Sequence, residues 1–339
     1  MHRARPKCTT RRDFLAESAA LAASGFLGFN TGARAEPPPE ITRIRTGWVP
    51  VICLAPQYVA QALLKAEGFD DIQYVEYPTT TPVGGPVAAG IMDISLDAIG
   101  PTIVAIDEGA PISILGGIHL GCYELFAAEG IKSVHDLKHK TVPIDGLKGP
   151  QHVFLSSMAA YVGLDPRVDI HWEVHRASES MRLYQDGKVD AYLGFPPEPQ
   201  ELRAKGVGRV IVNTAVDKPW SQYYCCMLVG NKSFLRKYPV ASKRAMRAFL
   251  KAADLCATDP QTAARIIVDS GFTKSYDYAL ETIEEVNYRG WRTYDPENAM
   301  RFHSVRLYEI GMIKSAPQQI ISRGTDWRFL MQLKQELKL

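Results

Sequence analysis

The sequence predicts an α/β protein with two lobes, each built on a mainly parallel sheet, and a helical C-terminal region. From residue 41 to about residue 230, short β-rich runs alternate with helix-length segments, which is typical of parallel sheets. After Asn231 no further strand is predicted. Residues 90–96 and 187–193 share the spacing G-x-x-D-x-x-L. This internal echo indicates a unit built twice, although such turns also arise by chance between helices and strands.

The individual elements follow from local pattern and from end signals. Ten strands are predicted, over residues 42–46, 72–76, 93–96, 112–117, 122–127, 141–144, 169–174, 190–193, 209–212 and 223–229. Proline suits a first helical turn and glycine the position after a last turn. Such pairs are Pro56 with Gly68, Pro101 with Gly109, and Pro150 with Gly163. Past residue 231, helices are predicted over 240–258, 260–269, 276–289, 296–310 and 327–337.

Charge is unevenly distributed along the chain. The 339 residues carry 39 Lys and Arg against 37 Asp and Glu, a net charge of +2. This near balance argues against a nucleic-acid binder and against an acidic tail. The first 35 residues hold six basic and two acidic side chains, so the remainder has a net charge of −2. The remainder therefore offers no overall field that would attract an anion.

Residues 1–35 resemble a twin-arginine export signal. Arg11 and Arg12 follow a threonine and precede Asp-Phe-Leu, a weakly apolar run covers 19–29, and residues 33–35 read Ala-Arg-Ala, a small-x-small cleavage site. An amphipathic helix or a basic arm is the alternative. We expect export to the periplasm, with the mature chain beginning near Glu36. No membrane span is predicted, because the uncharged stretch 18–33 has 16 residues and a span needs about 20.

The cysteines predict neither a disulfide framework nor a metal site. They are Cys8, Cys53, Cys122, Cys225, Cys226 and Cys256, and none forms a C-x-x-C pair. We expect buried thiols, and whether any are bridged stays open. His119 and Cys122 have the spacing of metal ligands, but one histidine and one cysteine are too few for a zinc site. No cofactor and no metal is therefore predicted.

Six stretches together carry a family resemblance. They are residues 45–50 (Arg-Thr-Gly-Trp-Val-Pro), 88–93, 107–113, 131–138, 140–142 and 163–165. In order and spacing they resemble the substrate-binding proteins of nitrate/sulfonate/taurine-type ABC importers, a superfamily shared with thiamine-pyrimidine synthase-like proteins. The resemblance implies a type II periplasmic-binding fold, with lobe I formed by residues 36–125 and 226–339 and lobe II by residues 126–225.

The resemblance also implies an activity. Such a protein captures a small ligand in the cleft between its lobes, as a monomer, and delivers it to an ABC permease and its ATPase subunit. A sulfonate-, nitrate- or carboxylate-like anion is the expected ligand. The loop 146–152 carries this expectation, because Lys148, Gln151 and His152 surround the start of a helix at Pro150, where free N–H groups favour anions. The resemblance implies that this loop holds the anionic part of the ligand.

Other candidate ligand-binding residues lie near strand ends. Trp48 follows the first strand, and Gln57 lies at the start of the next helix. The alternative to ligand binding for Trp48 is that it covers the core of its own lobe. Asp97, Phe195 and Glu198 end the two echo strands. Carboxylates there would favour a ligand with hydrogen-bond donors, such as an amine, amidine or protonated ring nitrogen, although Asp97 can instead brace a loop.

Three further candidates, His119, Tyr123 and Tyr223, lie on or beside the strands expected to cross between the lobes. An enzymatic role is the alternative to binding. No G-x-S-x-G, H-E-x-x-H or phosphate-binding glycine motif is present. Thiamine-pyrimidine synthase-like enzymes are associated with a cysteine-rich stretch, and residues 223–227 here read Tyr-Tyr-Cys-Cys-Met. A binding protein is therefore expected, with such an enzyme, a cofactor-carrying exported protein or a sensor as alternatives.

Overall fold

The computed structural model describes residues 36–77 and 82–337. The predicted export signal, with Arg11 and Arg12, lies outside these residues. Ten strands are present: β1 Arg43–Trp48, β2 Asp71–Glu76, β3 Ile94–Ala98, β4 Ile112–Leu120, β5 Glu124–Ala127, β6 Lys140–Ile144, β7 Ile170–Val174, β8 Ala191–Gly194, β9 Arg209–Asn213 and β10 Tyr224–Asn231. Each of the ten predicted strands is confirmed, with differences only at the ends.

The strands form two arrays of the same design. In the first array β1 pairs in parallel with β2, and β10 lies antiparallel between β3 and β4. In the second array β6 pairs in parallel with β7, and β5 lies antiparallel between β8 and β9. Since β3 and β4 both oppose β10, they run in the same direction, as β8 and β9 do. Each array therefore combines one parallel pair of strands with a three-stranded sheet whose pairings are antiparallel. The predicted α/β class is confirmed, with sheets that are mixed.

The two echo aspartates hold equivalent positions. Asp93 donates its N–H to the Arg45 carbonyl (2.9 Å), and its carboxylate accepts the Arg45 N–H (2.8 Å). Asp190 makes the same pair of bonds with Thr141, at 3.0 and 2.7 Å. The carbonyl of each then accepts a backbone N–H, from Asn231 and Ala128 respectively. Each aspartate therefore joins a parallel pair of strands to the rest of its array, and the internal echo is structural.

The arrays differ in how the chain builds them. The second array uses one continuous stretch, from β5 to β9, whereas the first uses β1 to β4 and then β10, after the chain has returned. Contacts join the chain from Pro39 onward into one unit. The exact boundaries of two lobes therefore stay a prediction.

Fifteen α-helices accompany the strands in the described residues. They are α1 Ala55–Val59, α2 Gln61–Ala66, α3 Gly85–Ala88, α4 Ile99–Asp107, α5 Pro150–Tyr161, α6 Ala177–Gln185, α7 Glu198–Ala204, α8 Lys232–Lys237, α9 Pro239–Thr258, α10 Pro260–Asp269, α11 Tyr276–Glu285, α12 Gly290–Thr293, α13 Pro296–Glu309, α14 Pro317–Gly324 and α15 Arg328–Glu336. The predicted helix ends are confirmed, because Gly68, Gly109 and Gly163 have φ angles of +100°, +93° and +85°. None of these helices is both long and apolar enough to cross a membrane.

Two details of the helical region correct the prediction. The helix expected over 276–289 ends at Glu285, because Val286 takes an extended conformation, and a short helix follows only at Gly290. The polar segment before the last helix, for which no helix is predicted, contains α14. Its Ile320 and Ile321 are buried in the same core cluster as residues of the first array.

Candidate functional site

A cavity of about 80 Å³, partly open to solvent, is lined by residues of both arrays. We call it the central cavity. The lining residues are Val49, Val51, Cys53, Leu54, Tyr77, Val83, Leu96, Asp97, Ala98, Cys122, Tyr123, Asp145, Pro150, Phe195 and Cys226.

Strand ends position most of this lining. Val49 directly follows β1, Tyr77 follows β2, Asp145 follows β6 and Phe195 follows β8, while Asp97 is the penultimate residue of β3. Ligands of open α/β sheets bind outside the carboxyl ends of the strands. The internal repeat brings these ends of both arrays to one cavity.

Two carboxyl groups face the cavity, one from each array. Asp97 is 5% exposed, and one of its oxygens has no hydrogen-bond partner among the described residues. Asp145 is 7% exposed, and both of its oxygens lack a partner in the same part of the chain. Burial raises the pKa of Asp97 to about 7 and that of Asp145 to about 6. The alternative that Asp97 braces a loop gains no support, since its side chain makes no hydrogen bond to a backbone group within residues 36–77 and 82–337.

The rest of the cavity wall is apolar and aromatic. The ring of Tyr123 stacks on that of Phe154, with centroids 4.8 Å apart. The ring of Phe195 contacts the Tyr123 ring edge-on, with centroids 6.2 Å apart. The Tyr77 ring lies against Gly47, where a Cβ would approach it to 2.9 Å. Glycine at position 47 is therefore required for this ring to reach the cavity. Tyr123 and Phe195 were predicted as site residues, whereas Tyr77 and Asp145 were missed.

Gln57 and Gln151, both predicted to bind ligand, hold strands together instead. Gln57 is fully buried; it donates to the Gly47 carbonyl (2.6 Å) and accepts the Leu96 N–H (2.7 Å). Gln151 likewise accepts the N–H of Asp145 (3.3 Å) and donates to the carbonyl of Leu193 (3.2 Å). Each glutamine thus ties the end of one strand to the neighbouring strand, and neither lines the central cavity.

Lys148 and His152 are also absent from the lining of the central cavity, although Lys148 lines an adjacent pocket that shares Asp145 with it. Lys148 is exposed and forms an ion pair with Glu108, just after α4. The Lys148 N–H donates to His152 Nδ1 (3.0 Å), and the Gly149 N–H to the Gly146 carbonyl (3.1 Å). Burial lowers the pKa of His152 to about 4. Two N–H groups of the loop therefore donate to acceptors within the loop and the start of α5, and the charge of Lys148 is paired with a carboxylate, so these groups are not available to an anion.

Three more predicted residues pack elsewhere. Trp48 lies 6.3 Å from Phe272, the packing role named as its alternative. Tyr223 stacks on Phe302 with centroids 3.9 Å apart. Glu198 accepts the Phe195 N–H (3.2 Å), and burial raises its pKa to about 8. Trp48, Tyr223 and Glu198 are absent from the lining of the central cavity.

His119 and four cysteines meet at the base of the cavity, and we call this group the thiol cluster. Ligand atoms of Cys53, His119 and Cys122 lie within 4.8 Å of one another, as do those of His119, Cys225 and Cys226. The Sγ atoms of Cys122 and Cys225 are 3.3 Å apart. The expectation that His119 and Cys122 lack companions is therefore wrong. The companions come from distant segments, the turn after β1 and strand β10, which spacing along the chain cannot bring together.

The thiols are buried in the structure, as expected. The four cysteines of the thiol cluster are at most 6% exposed. Cys256, which is not part of the cluster, is fully buried. Cys53, Cys122 and Cys226 also line the central cavity. The cavity therefore combines two carboxyl groups, aromatic rings and thiols.

Comparison with known proteins agrees with this architecture. A family model described as "NMT1/THI5 like" matches residues 54–263, more than half of the chain. The chain belongs to the NMT1/THI5-like family. No curated protein matches it.

Solved structures share its fold at low sequence identity. The periplasmic nitrate-binding protein NrtA from Synechocystis PCC 6803 is 13% identical, with a TM-score of 0.76 over 89% of this chain and 90% of that one. The periplasmic aliphatic sulphonate-binding protein SsuA from Escherichia coli is 17% identical, with a TM-score of 0.65 over 85% and 92%. A Candida albicans protein described as having the generic periplasmic binding protein fold is 14% identical, with a TM-score of 0.66 over 84% and 94%. The family member described here therefore has the periplasmic binding protein fold.

Proposed function

We propose that the chain is the periplasmic solute-binding component of an ABC importer, exported by the twin-arginine route and not an enzyme. The observation that carries this proposal is the central cavity, to which each array contributes a buried carboxyl group with at least one oxygen that has no hydrogen-bond partner among the described residues. Hinge closure of two lobes around a ligand is a standard way for such a fold to signal. The loaded protein would deliver its ligand, as a monomer, to a permease and its ATPase subunit.

The cavity supports a ligand class that differs from the expected anion. The anionic expectation rested on the loop 146–152, with Lys148 and the N–H groups at the start of α5. Lys148 is paired with Glu108 and does not line the central cavity. An anion placed in the cavity would face Asp97 and Asp145, and like charges in a poorly solvated site repel strongly. We therefore propose a small ligand with an apolar or aromatic body and N–H donors, such as an amine, an amidine or a protonated nitrogen heterocycle.

A thermal-shift panel tests this proposal. It compares amines, amidines and aminoheterocycles with nitrate, sulfonates and carboxylates at pH 8. A ligand at 100 times its Kd stabilises the folded state by about 2.7 kcal/mol, which raises Tm by several degrees. We expect such a rise from the nitrogen compounds, unchanged in Lys148→Met. A rise with anions alone that disappears in Lys148→Met would contradict the proposed ligand class, and no rise with any compound would contradict solute binding.

A further inference from the structure

We propose that the thiol cluster is a binding site for a borderline-soft divalent metal ion, represented by Zn²⁺, at the base of the central cavity. This goes beyond solute capture, because the ion would be held by the protein itself. The cluster unites the turn Ile52–Leu54, strand β4, the residue two before β5, and strand β10. Four thiols and one imidazole thereby meet in a part of the fold that is otherwise apolar.

His119 is prepared to act as a ligand. It is fully buried, and its Nδ1 lies 2.6 Å from the Leu120 carbonyl, to which it donates its proton. The Nε2 atom then carries the free lone pair, and it has no hydrogen-bond partner in residues 36–77 and 82–337. Histidines that bind metals characteristically donate from one ring nitrogen to a carbonyl or carboxylate and coordinate with the other. The buried, unpartnered Nε2 is thus explained by an ion among the thiols.

The distances suit a small coordination sphere. Zinc binds sulfur at roughly 2.3 Å and imidazole nitrogen at roughly 2.0–2.1 Å, usually in a tetrahedron. Ligand atoms around such an ion are then less than about 4 Å apart. The 3.3 Å between Cys122 Sγ and Cys225 Sγ and the two groups within 4.8 Å require only small movements. Either group, or a mixture of both, supplies the three or four donors of a zinc site.

The chemistry of the donors selects the kind of ion. Thiolate and imidazole ligands favour zinc and later transition metals, and they exclude Mg²⁺ and Ca²⁺, which prefer oxygen. A divalent ion bound by two thiolates and a neutral imidazole has no net charge, which limits the cost of burying it. Because Cys53, Cys122 and Cys226 also line the central cavity, an ion can enter from there.

Titration of reduced, metal-free protein with Co²⁺ tests the site, without any organic solute present. We expect one equivalent to give thiolate-to-cobalt charge-transfer bands, and Zn²⁺ to displace them. His119→Ala should weaken Co²⁺ binding at least 100-fold, because both groups of ligands contain His119. Cys256→Ser removes a buried thiol outside the cluster and should leave binding unchanged, which makes it the matched control.

Native mass spectrometry of the wild-type protein gives a readout that does not depend on variants folding. We expect a complex with one Zn²⁺ and two protons fewer than the sum of the parts, as two thiols become thiolates. Absence of both the bands and this complex, or bands that persist in His119→Ala, would overturn the proposal. A Cys122–Cys225 disulfide in protein purified without reductant would also overturn it. The thermal-shift panel, run on metal-free protein, tests solute binding separately.

Discussion

Replacing Asp97 with asparagine is expected to make the ligand-free protein more stable than wild type at pH 8 and to leave its stability unchanged near pH 4. Burial raises the pKa of Asp97 from 3.8 to about 7 in the folded state. The folded state therefore binds more protons than the unfolded state between these values, so stability falls as pH rises through this window. At about 1.4 kcal/mol for each pKa unit, the gain in Asp97→Asn at pH 8 approaches about 4 kcal/mol.

Thermal unfolding between pH 4 and pH 8 measures this effect. Asp145→Asn should show the same sign with a smaller gain, because the pKa of Asp145 is raised only to about 6. Asp70→Asn, a change at an exposed position, should stay within about 0.5 kcal/mol of wild type. Equal Tm values for Asp97→Asn and wild type at pH 8 would show that Asp97 is not a buried, unpaired carboxylate.

The expected gain links stability to function. A buried carboxyl group without a partner destabilises the empty protein, and such groups concentrate at functional sites. A ligand with N–H donors would supply the missing hydrogen bonds to Asp97 and Asp145. The same substitutions that stabilise the empty protein should therefore weaken ligand binding.

Replacing Arg203 with methionine is expected to cost about 3–5 kcal/mol at pH 7. Arg203, on α7, forms ion pairs with Glu124 at the start of β5, with Glu281 (2.6 Å) and with Glu285 (2.8 Å). Glu124 is 4% exposed, and burial already raises its pKa. Without the guanidinium, a buried negative charge would remain uncompensated. The loss should grow as pH rises, because the folded state then holds the proton of Glu124 more tightly than the unfolded state does.

Thermal and urea unfolding of Arg203→Met measure this loss. Arg301→Met is the control, since Arg301 lies on the surface and pairs with Glu297 on the same helix, an arrangement worth at most about 0.5 kcal/mol. The double variant Arg203→Met/Glu124→Gln should recover part of the loss, because it removes the unpaired charge as well. If Arg203→Met matches Arg301→Met, the pairs of Arg203 contribute nothing to stability.

The fold was largely predictable from the sequence. Strands and helices follow from local patterns, and the G-x-x-D echo marked the two places where an aspartate joins strands. A second pair of matching segments also marks the repeat: Pro56-Gln57 and Pro150-Gln151. The two glutamines make equivalent hydrogen bonds. That signal was present, but only the hydrogen bonds reveal that it is structural.

The site was less predictable, for two physical reasons. Spacing along the chain cannot show that Cys53 and Cys226 meet His119, because the three residues lie on segments that are far apart in sequence and come together only in the fold. Residue type also cannot show what a side chain faces: Lys148 forms an ion pair with Glu108, and Trp48 packs on Phe272. Asp145, one residue beyond β6, carries the same strand-end signal as Asp97 and was missed.

Native mass spectrometry of the protein recovered from the periplasm, without refolding, tests the central claim most directly. We expect a retained small molecule with basic, N–H-donating groups in the wild-type protein. The same molecule should be absent from the double variant Asp97→Asn/Asp145→Asn. A retained nitrate, sulfonate or carboxylate, or equal retention of the molecule in the double variant, would contradict the account.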